Sequence, residues 1–179
     1  MIPISSDLHL HAVKVEVVAL SRLELDQIRD VNVMLFQEER LISKIDQPDL
    51  ITLMLRIDGV RAGFKIGYGR ENGVFYSAKG GILPIFRRKG YARKLMFVMM
   101  QKAQELGYHT FRYDTFPKHY REMLLFGLKE GFEITQTDWN DQKQDFRIEL
   151  SVSISEYLNR DSAALLEETA ESGQSDAGL

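Results

Sequence analysis

The chain is expected to fold as an α/β (α+β) domain. Its core is a single mixed, mostly antiparallel sheet of six to seven strands with a central parallel pair, and helices cover both faces. Three observations predict this. Segments of period-two apolar alternation recur along most of the 179 residues. Segments with three- and four-residue apolar spacing fall between them, and Gly-containing turns separate the two kinds.

The elements follow in order. His11 to Leu20 alternates, with Val13, Val15 and Val17 on one side and Lys14 and Glu16 on the other, as a half-buried strand does. Ser21 opens a helical stretch with Leu25, Ile28, Val31 and Leu35 on one stripe, ending in Gln37-Glu38-Glu39-Arg40. Ile51, Leu53, Leu55 and Ile57 form the next strand. Asp58-Gly59 is a hairpin signal, and Ala62, Phe64, Ile66 and Tyr68 return as its partner. After Glu71-Asn72-Gly73, Val74 to Leu83 completes an antiparallel meander.

A loop from Pro84 to Gly90 leads to a helix with Ala92, Leu95, Met96, Met99, Ala103 and Leu106 on its apolar stripe, closed by Gly107. Thr110 to Thr115 is a short strand. It should lie parallel to the strand before the helix, because a strand–helix–strand unit of this length makes a right-handed crossover. A helix near Lys118 to Glu130 is expected to bury Tyr120, Met123, Leu124 and Leu128. Phe132 to Thr137 and Phe146 to Ile154 close the sheet. One domain is therefore expected over residues 10–155. An acidic tail over 156–179 should be part helix and part disordered.

Composition excludes several classes. There is no cysteine, hence no disulfide, thiolate metal site or cysteine nucleophile. No apolar run is long enough to span a bilayer and the start lacks signal-peptide character, so the expectation is cytoplasmic, with no membrane partner. The tail carries six acids and one base, leaving 22 bases and 20 acids before it; no net-basic domain results, so nucleic acid is not an expected partner. The four histidines show no metal-ligand spacing.

The chemistry-bearing segment is Ile82-Leu-Pro-Ile-Phe-Arg87-Arg88-Lys89-Gly90-Tyr91-Ala92, between a strand and a helix. A helix start exposes amides without partners, and its dipole favours anions there. Gly90 permits close backbone approach. Arg87, Arg88, Lys89, Arg93 and Lys94 add positive potential with no acid among them. Neither the P-loop nor the dinucleotide fingerprint matches this turn. Spacing alone leaves a solvated basic turn as an equal reading.

Arg87-Arg88-Lys89-Gly90-Tyr91-Ala92 resembles the signature of the GNAT superfamily of N-acetyltransferases: Gln or Arg, two residues, Gly, one residue, then Gly or Ala. Ile82-Leu83-Pro84 is similar to the Val-x-Pro before it, and Lys129-Glu130-Gly131-Phe132 to the family's Gly-Phe corner. The element order from about Val13 to Ile154 is also similar. The resemblance implies an acetyl-CoA-dependent acyltransferase acting on an amine of a small molecule or protein. It implies that the amides from Arg88 to Ala92 cradle the coenzyme pyrophosphate, with Arg87, Lys89, Tyr91, Arg93 and Lys118 around it. Backbone groups of Ile82 and Leu83 would hold the pantetheine arm where two parallel strands splay. Gly127 stands where relatives often carry tyrosine, and Lys118 where they often carry asparagine.

A lysine-like amine must lose a proton before attacking a thioester, at roughly 4–5 kcal/mol at pH 7. Candidate bases are Glu38 and Glu39, for each of which a solvated surface carboxylate is the plainer reading. Tyr120 is the candidate acid, or a core residue. Asp114, at a strand end, is either near the thioester or a turn residue. His109, His119 and Trp139 have plain structural readings. Gly80-Gly81 should leave room near the thioester. A non-catalytic coenzyme-A sensor and a phosphate-binding module of another fold stay open, and the acidic tail is a candidate for packing across a homodimer.

Overall fold

In the computed structural model, which describes residues 13–160, seven strands form one sheet. They are β1 (Val15–Leu20), β2 (Ile51–Ile57), β3 (Val60–Arg70), β4 (Val74–Ile82), β5 (Thr110–Thr115), β6 (Glu133–Asn140) and β7 (Asp145–Ser153). Their spatial order is β1-β2-β3-β4-β5-β7-β6. Every neighbour pair is antiparallel except β4–β5, which is parallel. Helices α1 (Asp26–Phe36), α2 (Tyr91–Glu105) and α3 (Pro117–Lys129) connect them. A last helix, α4, occupies 154–160.

The β1–β4 meander follows from the turns read in the sequence. Asp58 and Gly59 both take positive φ at the β2–β3 turn, as do Asn72 and Gly73 at the β3–β4 turn. Because the sheet is covered on both faces, its central strands bury side chains in both directions. Leu53, Leu55, Phe75 and Phe111 pack with Leu95, Met96, Met99 and Met100 of α2. Met54, Phe64 and Ile66 pack with Ile28 and Val31 of α1.

The helices differ from their predicted stripes at two points. In α3, Tyr120 is 43% exposed and Leu128 is also exposed, whereas Gly127 is buried. Tyr120 breaks helical geometry (φ −137°, ψ 48°), which rotates the first turn out of register with the rest. At the C-terminal side the core continues past the boundary expected at 155, since Tyr157 and Leu158 of α4 are buried. The Tyr157 hydroxyl donates to Glu130 at 2.7 Å. The remainder of the acidic tail lies outside the described residues.

Candidate functional site

β4 and β5 are joined over only three residue pairs, ending at Tyr76↔Arg112. Beyond that rung the two strands part, and Ser77 to Ile82 run on with β3 as their only partner strand among the described residues. A cleft of ≈ 480 Å³ opens at the gap, within the range of small-molecule sites.

At the α2 end of this gap the backbone turns sharply. After Ile82 a short 3-10 turn, Pro84–Phe86, leads to Arg88 (φ 60°) and Gly90 (φ 78°), both left-handed. Gly90 caps α2, and the first helical bond is donated by the Lys94 amide to the Gly90 carbonyl at 3.1 Å. The amides of Arg88, Lys89, Gly90, Tyr91 and Ala92 have no carbonyl or side-chain acceptor among the described residues, so this turn presents donors to the outside.

The cations around it divide. Arg88, Lys89 and Lys94 are exposed; the 3.9 Å approach of Arg88 to Glu122 is a loose surface pair. The Arg87 Nε donates to the Ile82 carbonyl at 2.9 Å, tying the turn to the end of β4. Arg93 reaches Glu130 at 3.1 Å, locking α2 to the end of α3. Tyr91 is half-buried against the core, and Ala92 is exposed.

The Leu83 amide donates to Ala62 on β3 at 2.9 Å. Since backbone direction alternates along a strand, Ile82 rather than Leu83 turns its polar groups toward the gap. The expectation for Lys118 is corrected. Its amide donates to Asp145 at 2.8 Å, and its ammonium to the Gln144 carbonyl at 2.7 Å. Pro117 starts α3 against the β6–β7 hairpin, which directs Lys118 there and away from the α2 turn.

On the α1 side, Glu38 and Glu39 separate. Gln37 is left-handed (φ 56°), and the buried Asn32 amide donates to the Glu38 and Arg40 carbonyls, pinning the turn. Glu38 faces the cleft and receives a hydrogen bond from Lys79, which also donates to the Arg40 carbonyl at 2.8 Å. That bond holds the Glu38 carboxyl below the ordinary range, and partial burial only partly offsets it. Glu39, expected as a base, lines a separate depression of ≈ 350 Å³ with Arg22 and Arg29, away from the gap.

Tyr120 and Asp114 do line the cleft. One Asp114 oxygen accepts from Tyr76 at 3.0 Å and from Arg147 at 3.2 Å; the other is buried without a partner among the described residues. Burial, reinforced by the Asp114 charge, pushes the Tyr76 hydroxyl up. His109 contacts Thr110, His119 the Lys143 carbonyl and Trp139 its neighbour Asp141; none of the three reaches the gap. Among the described residues no group of three or more His, Asp or Glu could hold a metal, and no helix is long and apolar enough to cross a membrane.

Sequence reasoning missed two residues. Tyr113 lines the cleft and donates to the Met123 carbonyl at 2.9 Å. A Cβ on Gly127 would fall 1.9 Å from its hydroxyl, so Gly127 is the room this tyrosine occupies. Lys65 also lines the cleft, although only 8% exposed. The available signal was a lysine at an inward position between Phe64 and Ile66, in a strand apolar on both faces.

No protein-family model matches the chain, and no curated protein matches it in sequence. Solved structures do match in fold. The ribosomal-protein-S18-alanine N-acetyltransferase of Escherichia coli aligns with a TM-score of 0.65 at 14% identity, over 79% of this chain and 94% of that one. The IAA acetyltransferase of Bacillus cereus gives 0.64 at 17%, over 79% and 99%. NAA60 of Arabidopsis thaliana, in complex with acetyl-CoA, gives 0.60 at 10%, over 79% and 99%. The parallel pair that parts beside an amide-rich helix start is thus set in a known architecture: the chain has the GNAT N-acetyltransferase fold.

Proposed function

We propose that this chain is an N-acetyltransferase, moving an acetyl group from acetyl-CoA directly to a primary amine. One observation supports this above the others. The opening between β4 and β5 begins in the strand that leads into the α2 turn and its unpartnered amides. A diphosphate at the helix start and an acyl chain along the Ile82 edge would then deliver a thioester to the cleft.

Coenzyme contacts in this reading come from the amides of Arg88 to Ala92, the Ile82 backbone and the exposed cations Arg88, Lys89 and Lys94. The acceptor amine enters from the α1 side. The carboxylates lining the cleft it enters are Asp114 and Glu38. The bond from Lys79 to Glu38 favours its carboxylate form and lowers its proton affinity. Tyr120, exposed in the cleft, is the assigned proton donor to the leaving thiolate. The acceptor is a small molecule or a protein amine.

A second reading is a coenzyme-A-binding domain without turnover. It is favoured because Glu38 is bound by Lys79, and Asp114 by Tyr76 and Arg147. Release of free thiol from acetyl-CoA over a panel of amines separates the two. Thiol release that depends on one class of amine is expected. Coenzyme binding without release on any amine would favour the sensor, and absence of binding would overturn both.

A further inference from the structure

The cleft contains a cation that the reading above does not use. Lys65 lies on β3, yet its Nζ reaches over β5, 5.8 Å from the centre of the Phe111 ring. It does so by crossing β4 opposite its register partner Gly80. A Cβ at Gly80 would fall 2.7 Å from the Phe64 carbonyl oxygen, 3.1 Å from the Lys65 Cα and 3.2 Å from its Cγ, so the missing side chain lets β3 and the base of the lysine stem lie close against β4. Phe111 stands one residue before the last β4–β5 rung, Tyr76↔Arg112, and Lys65 lines the same cleft as Ser77 and Tyr113.

No carboxylate meets it there. Among the described residues Lys65 makes no ion pair and no side-chain hydrogen bond. The two carboxylates of the cleft are held elsewhere, Glu38 by Lys79 and Asp114 by Tyr76 and Arg147. The hydroxyl of Tyr113, which shares this side of the sheet, is spent on the Met123 carbonyl. An ammonium largely withdrawn from water and lacking a counter-charge favours its neutral form; burial lowers the Lys65 pKa from 10.5 to about 8. A neutral amine held in a thioester channel is a nucleophile.

We propose that Lys65 is an internal acyl acceptor: with acetyl-CoA bound, the chain acetylates its own Lys65. This rests on the coenzyme reading given above. The Nζ lone pair attacks the thioester carbonyl carbon, a C–N bond forms and the C–S bond breaks with its electrons on sulfur. The proton released from nitrogen goes to that thiolate, leaving free coenzyme and an amide. The amide carries no charge, so the burial penalty of the ammonium disappears, and the added acetyl group fills the gap. Acetylated chains should therefore bind coenzyme more weakly, making the modification a self-limiting one.

The test is incubation of the full chain with acetyl-CoA followed by peptide mass mapping, alongside thermal shift with unacylated coenzyme A. One acetyl group on Lys65 is expected, gained at least about tenfold faster than on exposed Lys89 or Lys94, since each unit of lowered pKa multiplies the neutral fraction about tenfold. Lys65→Arg should lose that modification; where it fails to fold, Lys65→Met serves, and wild-type mapping decides in either case. A coenzyme-induced thermal shift with Lys65 unmodified overturns the proposal and leaves the coenzyme reading intact. Equal labelling of all exposed lysines also overturns it. No shift and no label brings down both.

Discussion

Gly90 and Gly127 are the same residue type put to opposite uses, one at each end of the candidate site. Gly90 has open space around it: a Cβ there would meet nothing within 4 Å, and what matters is its φ of 78°. Gly127 is needed for the space itself, because the Tyr113 hydroxyl sits where a side chain would begin. Gly80 resembles Gly127 in this respect, ceding its volume to the β3 backbone at Phe64 and Lys65 and to the base of the Lys65 side chain. A glycine that sets a backbone angle announces itself through its immediate neighbours. One that makes room is explained only by a residue far away in sequence.

The largest effect should come from filling the second kind. Gly127→Tyr must displace Tyr113 and also crowds Leu150 at 3.0 Å. A stability loss of about 3 kcal/mol or more is expected by chemical denaturation, at the upper end for overpacked cores. Gly127→Ala should cost less, and much of that cost should vanish in the double variant with Tyr113→Phe, a coupling that independent sites would not show. Additive losses would mean that Gly127 serves backbone conformation after all.

Lys65→Met comes next and has the opposite sign. The lowered pKa of the buried amine, from 10.5 to about 8, corresponds to a penalty of about 3 kcal/mol at pH 7, so the isosteric apolar chain should stabilise the fold by up to that amount. In the wild type the unfolded chain keeps the proton that the folded chain gives up between those two values. Stability contributed by this site therefore rises with pH from about 8 toward 10.5, and below about 8 the full penalty applies. A Lys65→Met variant lacking that rise, with higher stability at pH 7, confirms the buried amine; identical pH profiles would refute it.

These two pairs also explain what the sequence reveals. The order of elements was legible because each rests on local periodicity. So was the α2 turn, where Arg87 to Ala92 combine cations, a left-handed glycine and a helix start within one short segment. The expected fold class, with its parallel pair, is the one observed. Catalytic positions depended on directions that spacing does not carry. Gln37 turns left-handed and sends Glu38 to the cleft but Glu39 to another depression. Asp145 captures the start of α3 and takes Lys118 with it. The kink at Tyr120 exposes a residue that periodicity assigned to the core. Gly80 and Gly81 were expected to leave room near a thioester; the space beside them is taken by the β3 backbone at Phe64 and Lys65 and by Leu35.

At the exposed end the effects should fall on ligand binding rather than stability. Gly90→Val puts a β-branched residue at a left-handed cap, a strain of about 1–2 kcal/mol, and should weaken acetyl-CoA binding about tenfold or more as the turn relaxes. Calorimetric titration would check this, and unchanged affinity would remove the turn from the site.

The smallest effect is the most discriminating. Arg88 holds φ at 60° with its side chain in solvent, and its nearest carboxylate is the exposed Glu122 at 3.9 Å. Arg88→Gly keeps the amide where it is, since glycine adopts that conformation freely, and removes only the charge. If amides do most of the holding, affinity should fall by no more than about fivefold, in line with about 1 kcal/mol for one exposed charge. The salt dependence of binding should flatten at the same time. If the cations dominate, the loss would match that of Gly90→Val and shrink steadily as salt is raised. That result would recast the turn as a charged surface rather than a shaped one, and Gly90 would lose the role that sets it apart from Gly127.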